Sequence, residues 1–233
     1  MKIEILEDAA AVAQRAAAII ADAARQAVAE RGRFVLAVSG GRTPWLMLRA
    51  LADEDVPWHA VHVVQVDERV APPGHPERNL THIDASLPGP AALSRERRHA
   101  MPVEAADLDG AAERYAATLR EVAGNPPVVD LVHLGLGADG HTASLLPGDP
   151  VLDVTATDVA PTGVYQGRRR LTLTYPVLNR ARRILWVVTG ADKFDALVRL
   201  RAADRRIPAG RIRRDNAVLL ADRAATENRA APP

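Results

Sequence analysis

VVDLVHLGLGADGHTASLLPG, residues 128–148, runs from an apolar, β-branched stretch straight into a segment holding four glycines within 135–148. Val128 to Leu136 reads as a core strand, because a short β-branched, mainly apolar run leading into glycine suits a strand in a covered sheet. Glycines at this density let a backbone turn tightly and approach a ligand. Asp139 and His141 stand two residues apart within that turn. Helix-forming residues resume at Thr142, which predicts a helix starting there, with His141 at or near its N-terminus. A helix dipole at that place disfavours imidazolium and keeps the ring neutral, as a general base requires. Asp139 is placed to orient that ring or to bind a hydroxyl.

Outward from this segment, short apolar runs alternate with alanine- and leucine-rich stretches of helical period, which predicts an α/β fold. Lys2 to Leu6 reads as a peripheral strand, and residues 8–31 as an amphipathic helix closed by Gly32. Arg33 to Val38 and Ala60 to Val66 read as strands, with helices over Thr43 to Ala52, Leu80 to Leu87 and 105–123. Arg170 to Thr174, Ile184 to Thr189 and Ala217 to Leu220 complete the strands, with a helix over Ala191 to Ala202. Residues 88–103 read as irregular connection and the tail after Asp222 as frayed. No repeat or low-complexity linker divides residues 1–233, so one domain is expected.

The composition narrows the chemistry. Hydrophobic residues make up 48% and charged residues 25%, the balance of a globular protein. A formal net charge of +1 gives no argument for nucleic acid. With no cysteine, disulfides, thiolate metal sites and cysteine nucleophiles are excluded. The N-terminal stretch mixes acids with apolar residues, unlike a secretory signal, and no apolar run approaches the roughly 20 residues of a membrane span. A cytoplasmic protein without membrane contact is expected.

Ligands of open parallel sheets bind outside the carboxyl ends of the strands, so the residues after each strand matter most. Ser39-Gly40-Gly41-Arg42-Thr43-Pro44 follows one strand. There Thr43 suits a helix N-cap, Pro44 a first turn, and the exposed N–H groups a phosphate. It is neither a GKS/T phosphate loop nor a GxGxxG fingerprint, and taken alone it reads first as a plain strand-to-helix turn with a cap. Asp67-Glu68-Arg69 ends another strand, placing an acid at the mouth of a site and a guanidinium beyond it. Thr189-Gly190-Ala191-Asp192-Lys193 begins a helix after a third and brings an ammonium to the same sheet edge. No G-x-S-x-G elbow, H-E-x-x-H or other metal spacing is present, which leaves acid–base and electrostatic catalysis.

Together, SGGRTP at 39–44, DERVAPPGHPERN at 67–79, GLGADGHTASLLPG at 135–148 and LTLTYPVLNRARRILWVVTGADK at 171–193 resemble the 6-phosphogluconolactonases. These sit within the wider group of glucosamine-6-phosphate deaminases and isomerases. The resemblance implies a three-layer α/β/α fold with a mainly parallel sheet, like that of the deaminases and ribose-5-phosphate isomerases. It implies a sugar-phosphate substrate in the oxidative pentose phosphate pathway, no metal or cofactor, and a monomer or homodimer. It makes His141 the base and Asp139 its partner, and assigns Ser39, Gly40, Gly41 and Thr43 to the phosphate loop. Arg69 and Lys193 match basic substrate contacts. Asp67 matches an acid that abstracts a proton in the deaminases. Where the family often has Asp-Ser-Asn this chain has Glu77-Arg78-Asn79, keeping Asn79.

The deaminases carry an acid five residues after the site histidine; here that position is Leu146. Lactone hydrolysis asks less: a base for water, stabilisation of an oxyanion, and a proton for the leaving oxygen. His141 is expected to serve the first and last, and glycine-loop N–H groups or Arg69 the oxyanion. Arg168 and Arg170 are further candidates for phosphate. A deaminase or isomerase, and a non-catalytic sugar-phosphate sensor, remain the alternatives; a sensor's DNA-binding module is not evident.

Overall fold

Asp8 starts the first long helix: its carboxylate accepts the Ala11 N–H at 2.8 Å, and Gly32 stops the helix in the left-handed region at φ 73°. In the computed structural model, which describes residues 1–87 and 93–227, the chain order follows from such local signals. The elements are β1 (Lys2–Leu6), α1 (Ala9–Arg31), β2 (Phe34–Val38), α2 (Arg42–Ala52), β3 (Val61–Gln65), β4 (Asp67–Arg69) and α3 (Asn79–Ser86). There follow β5 (Arg98–His99), α4 (Leu108–Ala123), β6 (Leu131–Leu134), β7 (Val159–Pro161), β8 (Arg170–Leu173) and α5 (Tyr175–Arg180). The last are β9 (Arg183–Val188), α6 (Phe194–Arg201), β10 (Ala217–Asp222) and α7 (Arg223–Thr226).

Seven strands form one sheet in the order β1-β10-β9-β6-β2-β3-β5, and every pairing in it is parallel. The alternation along β2 shows why both faces need cover. Phe34, Leu36 and Val38 pack into an apolar cluster with α1 and α2, while Val35 and Ala37 pack into another with α4 and α5. The sheet is therefore the middle of three layers. Chain order reverses between β6 and β2, since β3 lies outward from β2 and β9 outward from β6. Loops leaving these strands diverge there and open a crevice.

The sequence reading has β3 end at Asp67. Instead the chain steps out of the main sheet, and Asp67–Arg69 pair antiparallel with β8 in a second sheet of order β4-β8-β7. Asp67 lies opposite Thr172, and Arg69 opposite Arg170. The short α5 was likewise not anticipated. The expected irregular connection over 88–103 lies partly outside the described residues, at 88–92, and its described part contains β5. Of the tail expected to fray, 228–233 lie outside the described residues, whereas Arg223–Thr226 form α7, capped by Asp222 through the Ala225 N–H at 2.8 Å. Among the described residues, no helix is long and apolar enough to cross a membrane.

Candidate active site

The loops after β2, β3, β6 and β9 surround a cleft of about 500 Å³, a size suited to a small ligand. Of the expected site residues, Ser39, Gly40, Gly41, Thr43, Asp67, Arg69, Asn79, His141 and Lys193 all line it. Asp139 does not; it stands behind His141.

After β2, the Ser39 hydroxyl donates to the His133 carbonyl at 3.0 Å and its N–H to His133 Nδ1 at 3.3 Å, fixing the loop to β6. His133 is wholly buried, and burial pushes its pKa down to about 3, so the ring is neutral. Gly41, at φ 131°, precedes α2 without a side-chain cap, and the first-turn N–H groups stay open towards the cleft. Thr43 is thus not the expected N-cap. The turn at Gly41 starts the helix earlier, and Thr43 Oγ1 instead meets Thr189 Oγ1 at 2.5 Å. Gly40 is required by close approach: a Cβ there would lie 1.9 Å from Asn79 Oδ1.

Asn79 joins this loop to β4. Its Nδ2 donates to the Asp67 carbonyl at 2.9 Å and its Oδ1 accepts from Arg69 Nη1 at 2.9 Å, while that same Nη1 also donates to the Glu77 carbonyl at 2.9 Å. Beneath lies Glu68, fully buried. Its two oxygens accept the N–H groups of Arg69, Asn79 and Leu80 and the Gln65 amide, all at 2.8 Å. The buried Arg78 guanidinium stands 3.6 Å from Glu68 and also pairs with Glu104. Nothing in the sequence singled out Glu68, because its partners are assembled by the fold.

After β6 the glycine-rich segment closes on itself rather than starting a helix. Gly137 N–H donates to the His141 carbonyl at 2.9 Å, and Thr142 Oγ1 to the Gly135 carbonyl at 2.8 Å. Ala143 lies in the left-handed region at φ 53°. The expected helix dipole is therefore absent, and the carboxylate of Asp139 orients the histidine. Its Oδ1 lies 2.6 Å from His141 Nδ1 and accepts the His141 N–H at 3.0 Å. Burial raises the Asp139 pKa, but these bonds outweigh it and leave the carboxyl below its ordinary value. With an ionised acceptor at Nδ1, the ring carries its proton there and leaves the Nε2 lone pair free. Gly137 makes room, since a Cβ on it would lie 2.1 Å from His141 Nδ1.

Asp67, 5% exposed, accepts the Ser144 hydroxyl at 2.6 Å. Arg170 Nη1 donates to the same hydroxyl at 3.3 Å, and Arg170 also lines the cleft. Arg168 does not line it; its guanidinium instead holds the Glu77 carboxylate and the Val70 carbonyl at the rim. After β9, Gly190 N–H donates to both Asp222 oxygens at 3.1 Å, and Lys193 Nζ lies 2.8 Å from Asp192. Leu146, five residues after His141, is buried at 4% exposure. Among the described residues, no group of three or more His, Cys, Asp or Glu side chains is arranged to hold a metal ion.

Known proteins resemble this chain along most of its length. Residues 7–220 match the family model described as "Glucosamine-6-phosphate isomerases/6-phosphogluconolactonase". A 6-phosphogluconolactonase of Synechocystis sp. is 38% identical over 200 residues, covering 84% of this chain and 83% of its own. One of Pseudomonas aeruginosa is 36% identical over 218 residues, covering 88% of each. Among solved structures, the devB protein superposes with a TM-score of 0.84 at 28% identity, over 98% of this chain and 99% of its own.

Proposed function

The chain belongs to the glucosamine-6-phosphate isomerase/6-phosphogluconolactonase family, and from that premise we propose that it hydrolyses 6-phosphogluconolactone to 6-phosphogluconate in the pentose phosphate pathway, with His141 as general base. The observation that carries the reading is the Asp139–His141 pair, whose 2.6 Å contact commits Nδ1 and leaves Nε2 for a cleft with room for a sugar phosphate. Ring opening of an amino sugar needs an additional acid five residues on, and the buried Leu146 has no proton to give.

The phosphate sits on the open N–H groups of the Gly40–Thr43 turn, which Ser39 anchors to β6 through His133, with Lys193 as counter-charge. This holds the lactone carbonyl beside His141. Nε2 takes a proton from water as the water oxygen bonds to C1, and the carbonyl becomes an oxyanion. Collapse of that intermediate breaks the bond from C1 to the ring oxygen. The imidazolium returns its proton to that oxygen, which becomes a hydroxyl, and the new acid ionises. Asp139 stabilises the transient imidazolium. Asp67 does not abstract a proton in this scheme; its carboxylate organises Ser144 and Asn79. Acid–base and electrostatic groups suffice for this chemistry without metal or organic cofactor. The reading places the enzyme in the cytoplasm, with the chain as one lactonase domain acting as monomer or homodimer.

The test is lactone opening coupled to 6-phosphogluconate dehydrogenase, with fresh substrate at slightly acidic pH and a parallel assay of ammonia from glucosamine-6-phosphate. His141→Ala is expected to lower kcat by about 10²–10⁴ while product binding stays near wild type. A severalfold loss alone would remove His141 as base. Ammonia release without lactone opening would move the chain to the deaminase side of its family.

A further inference from the structure

Arg69 and Arg170 face each other directly across the β4–β8 pair, and both line the cleft. Like charges directly opposite on antiparallel strands repel. Their protein partners do not cancel this. Arg69 spends Nη1 on the Glu77 carbonyl and Asn79 Oδ1. Arg170 is 4% exposed; its guanidinium donates only from Nη1, to the Ser144 hydroxyl, and has a buried Nε with no partner. Among the described residues it forms no ion pair within 4 Å, and its hydrogen-bond connection to Asp67 runs through the Ser144 hydroxyl. Burial lowers its pKa, and the nearby Asp67 carboxylate offsets this only in part, while Arg69 adds to it.

The guanidinium is nevertheless held in place. Its Cζ lies 5.1 Å from the centroid of the Tyr165 ring, and that ring meets the His141 ring edge-on at 6.0 Å. Tyr165 sits on a tight hairpin turn completed by Gln166 and Gly167, both at positive φ, with Tyr165 and Arg168 exchanging backbone hydrogen bonds. Arg168 then ties that hairpin to the 70–79 loop through Glu77 and Val70.

We propose that Arg170, braced by Ser144 and the Tyr165 ring and paired with Arg69, is a catalytic residue binding the C1 oxygens, as oxyanion during turnover and as carboxylate in the product. Tyr165 is then a positioning residue, aligning Arg170 with His141. The proposal rests on the lactonase reading and divides the cleft into two anion subsites: backbone N–H groups with Lys193 for phosphate, and the arginine pair for the C1 end. It moves the oxyanion role from Arg69 or the glycine loop to Arg170, whose donors are less occupied.

Two ligands separate these subsites. 6-Phosphogluconate carries both anions; glucitol 6-phosphate keeps the phosphate and replaces the carboxylate by an alcohol. Calorimetric titration of wild type is expected to show tighter binding of the first. Arg170→Gln is expected to weaken 6-phosphogluconate about tenfold or more and glucitol 6-phosphate less than about twofold, with kcat reduced more than KM is raised. Tyr165→Leu, on the partly exposed hairpin, is expected to lose part of the preference, and Tyr165→Phe to keep it. Equal weakening of both ligands in Arg170→Gln and Tyr165→Leu would overturn the proposal, as would a wild type without preference. Lactone opening at wild-type rate in Arg170→Gln overturns this subsite while leaving the lactonase reading intact. A wild type that prefers 6-phosphogluconate but opens no lactone supports the anion subsite and defeats the reaction instead.

Discussion

At the carboxyl ends of β2 and β9 the cleft is lined by main chain: Gly40, Gly41 and Gly190, with the open start of α2 behind them. Across from them, β4 and β8 line it with side chains: Asp67, Arg69 and Arg170. The first region belongs to a seven-stranded sheet with apolar clusters on both faces. The second belongs to a three-stranded sheet tied by buried polar groups, with Glu68, Arg78, Ser144 and Thr172 all at 1% exposure or less. Apolar packing sets where backbone dipoles point and tolerates substitution among residues of like size. A buried polar network instead holds charges in one arrangement and fails as a unit when one member is lost.

Glu68→Leu strikes the polar network at its centre. The N–H groups of Arg69, Asn79 and Leu80 lose their acceptor, and Arg78 loses one of two carboxylates. A cost of about 3–5 kcal/mol is expected, read as a lower urea midpoint with loss of lactone opening. A loss under about 1 kcal/mol would show that the small sheet is held by packing, as the large one is.

Gly40→Ala tests the seam between the regions. The added Cβ displaces the Asn79 amide and with it the bonds to Arg69 and to the Asp67 carbonyl. We expect about 1–3 kcal/mol, appearing as a 10- to 100-fold fall in kcat/KM. In a double-mutant cycle with Asn79→Ala, the second change should cost little once the first is made. Strict additivity would separate the two.

The smallest step, taken per pH unit, is a pH dependence set in the large sheet. His133 has a pKa of about 3 in the fold against an ordinary 6.5, so between those values the unfolded chain binds a proton the fold refuses. Stability therefore falls as pH drops below 6.5, by roughly 1 kcal/mol per pH unit, until the folded pKa is reached. His62 and His99, also lowered chiefly by burial, act in the same sense. His133→Gln should flatten the acid limb of urea midpoints measured between pH 4 and 7. An unchanged slope would locate the acid sensitivity elsewhere.

Most of the large sheet was legible because its inner strands are apolar runs, Phe34–Val38 and Arg183–Val188 among them, with glycine punctuation after them, whereas the two polar residues of β5 gave no such signal. Of the small sheet only β8 was, since DER is short and polar and VAP is three residues ending in proline, neither long enough to carry a period. The alternation in Arg170-Leu171-Thr172-Leu173 is that of a strand with two unlike faces, and it was the available signal for an antiparallel partner. The motif residues came together as their order along the sheet edge required. Two local expectations failed for one reason. At Thr43 and after His141, left-handed backbone at Gly41 and Ala143 overrode side-chain preference for where helices begin. Ser144 and Glu68 carry no local signature. The partner of Ser144, Asp67, lies 77 residues away in sequence.

Leu146 lies buried beyond the turn that carries His141. An acid at that position, as a deaminase uses, would enter a tightly packed place where an unpaired charge costs several kcal/mol, a large share of the roughly 5–15 kcal/mol that holds a fold together. In evolutionary terms the two chemistries of this family are not one substitution apart. A lineage crossing between them has to rebuild the backbone of 142–148 first, so that the position opens to water, and only then can selection find the acid.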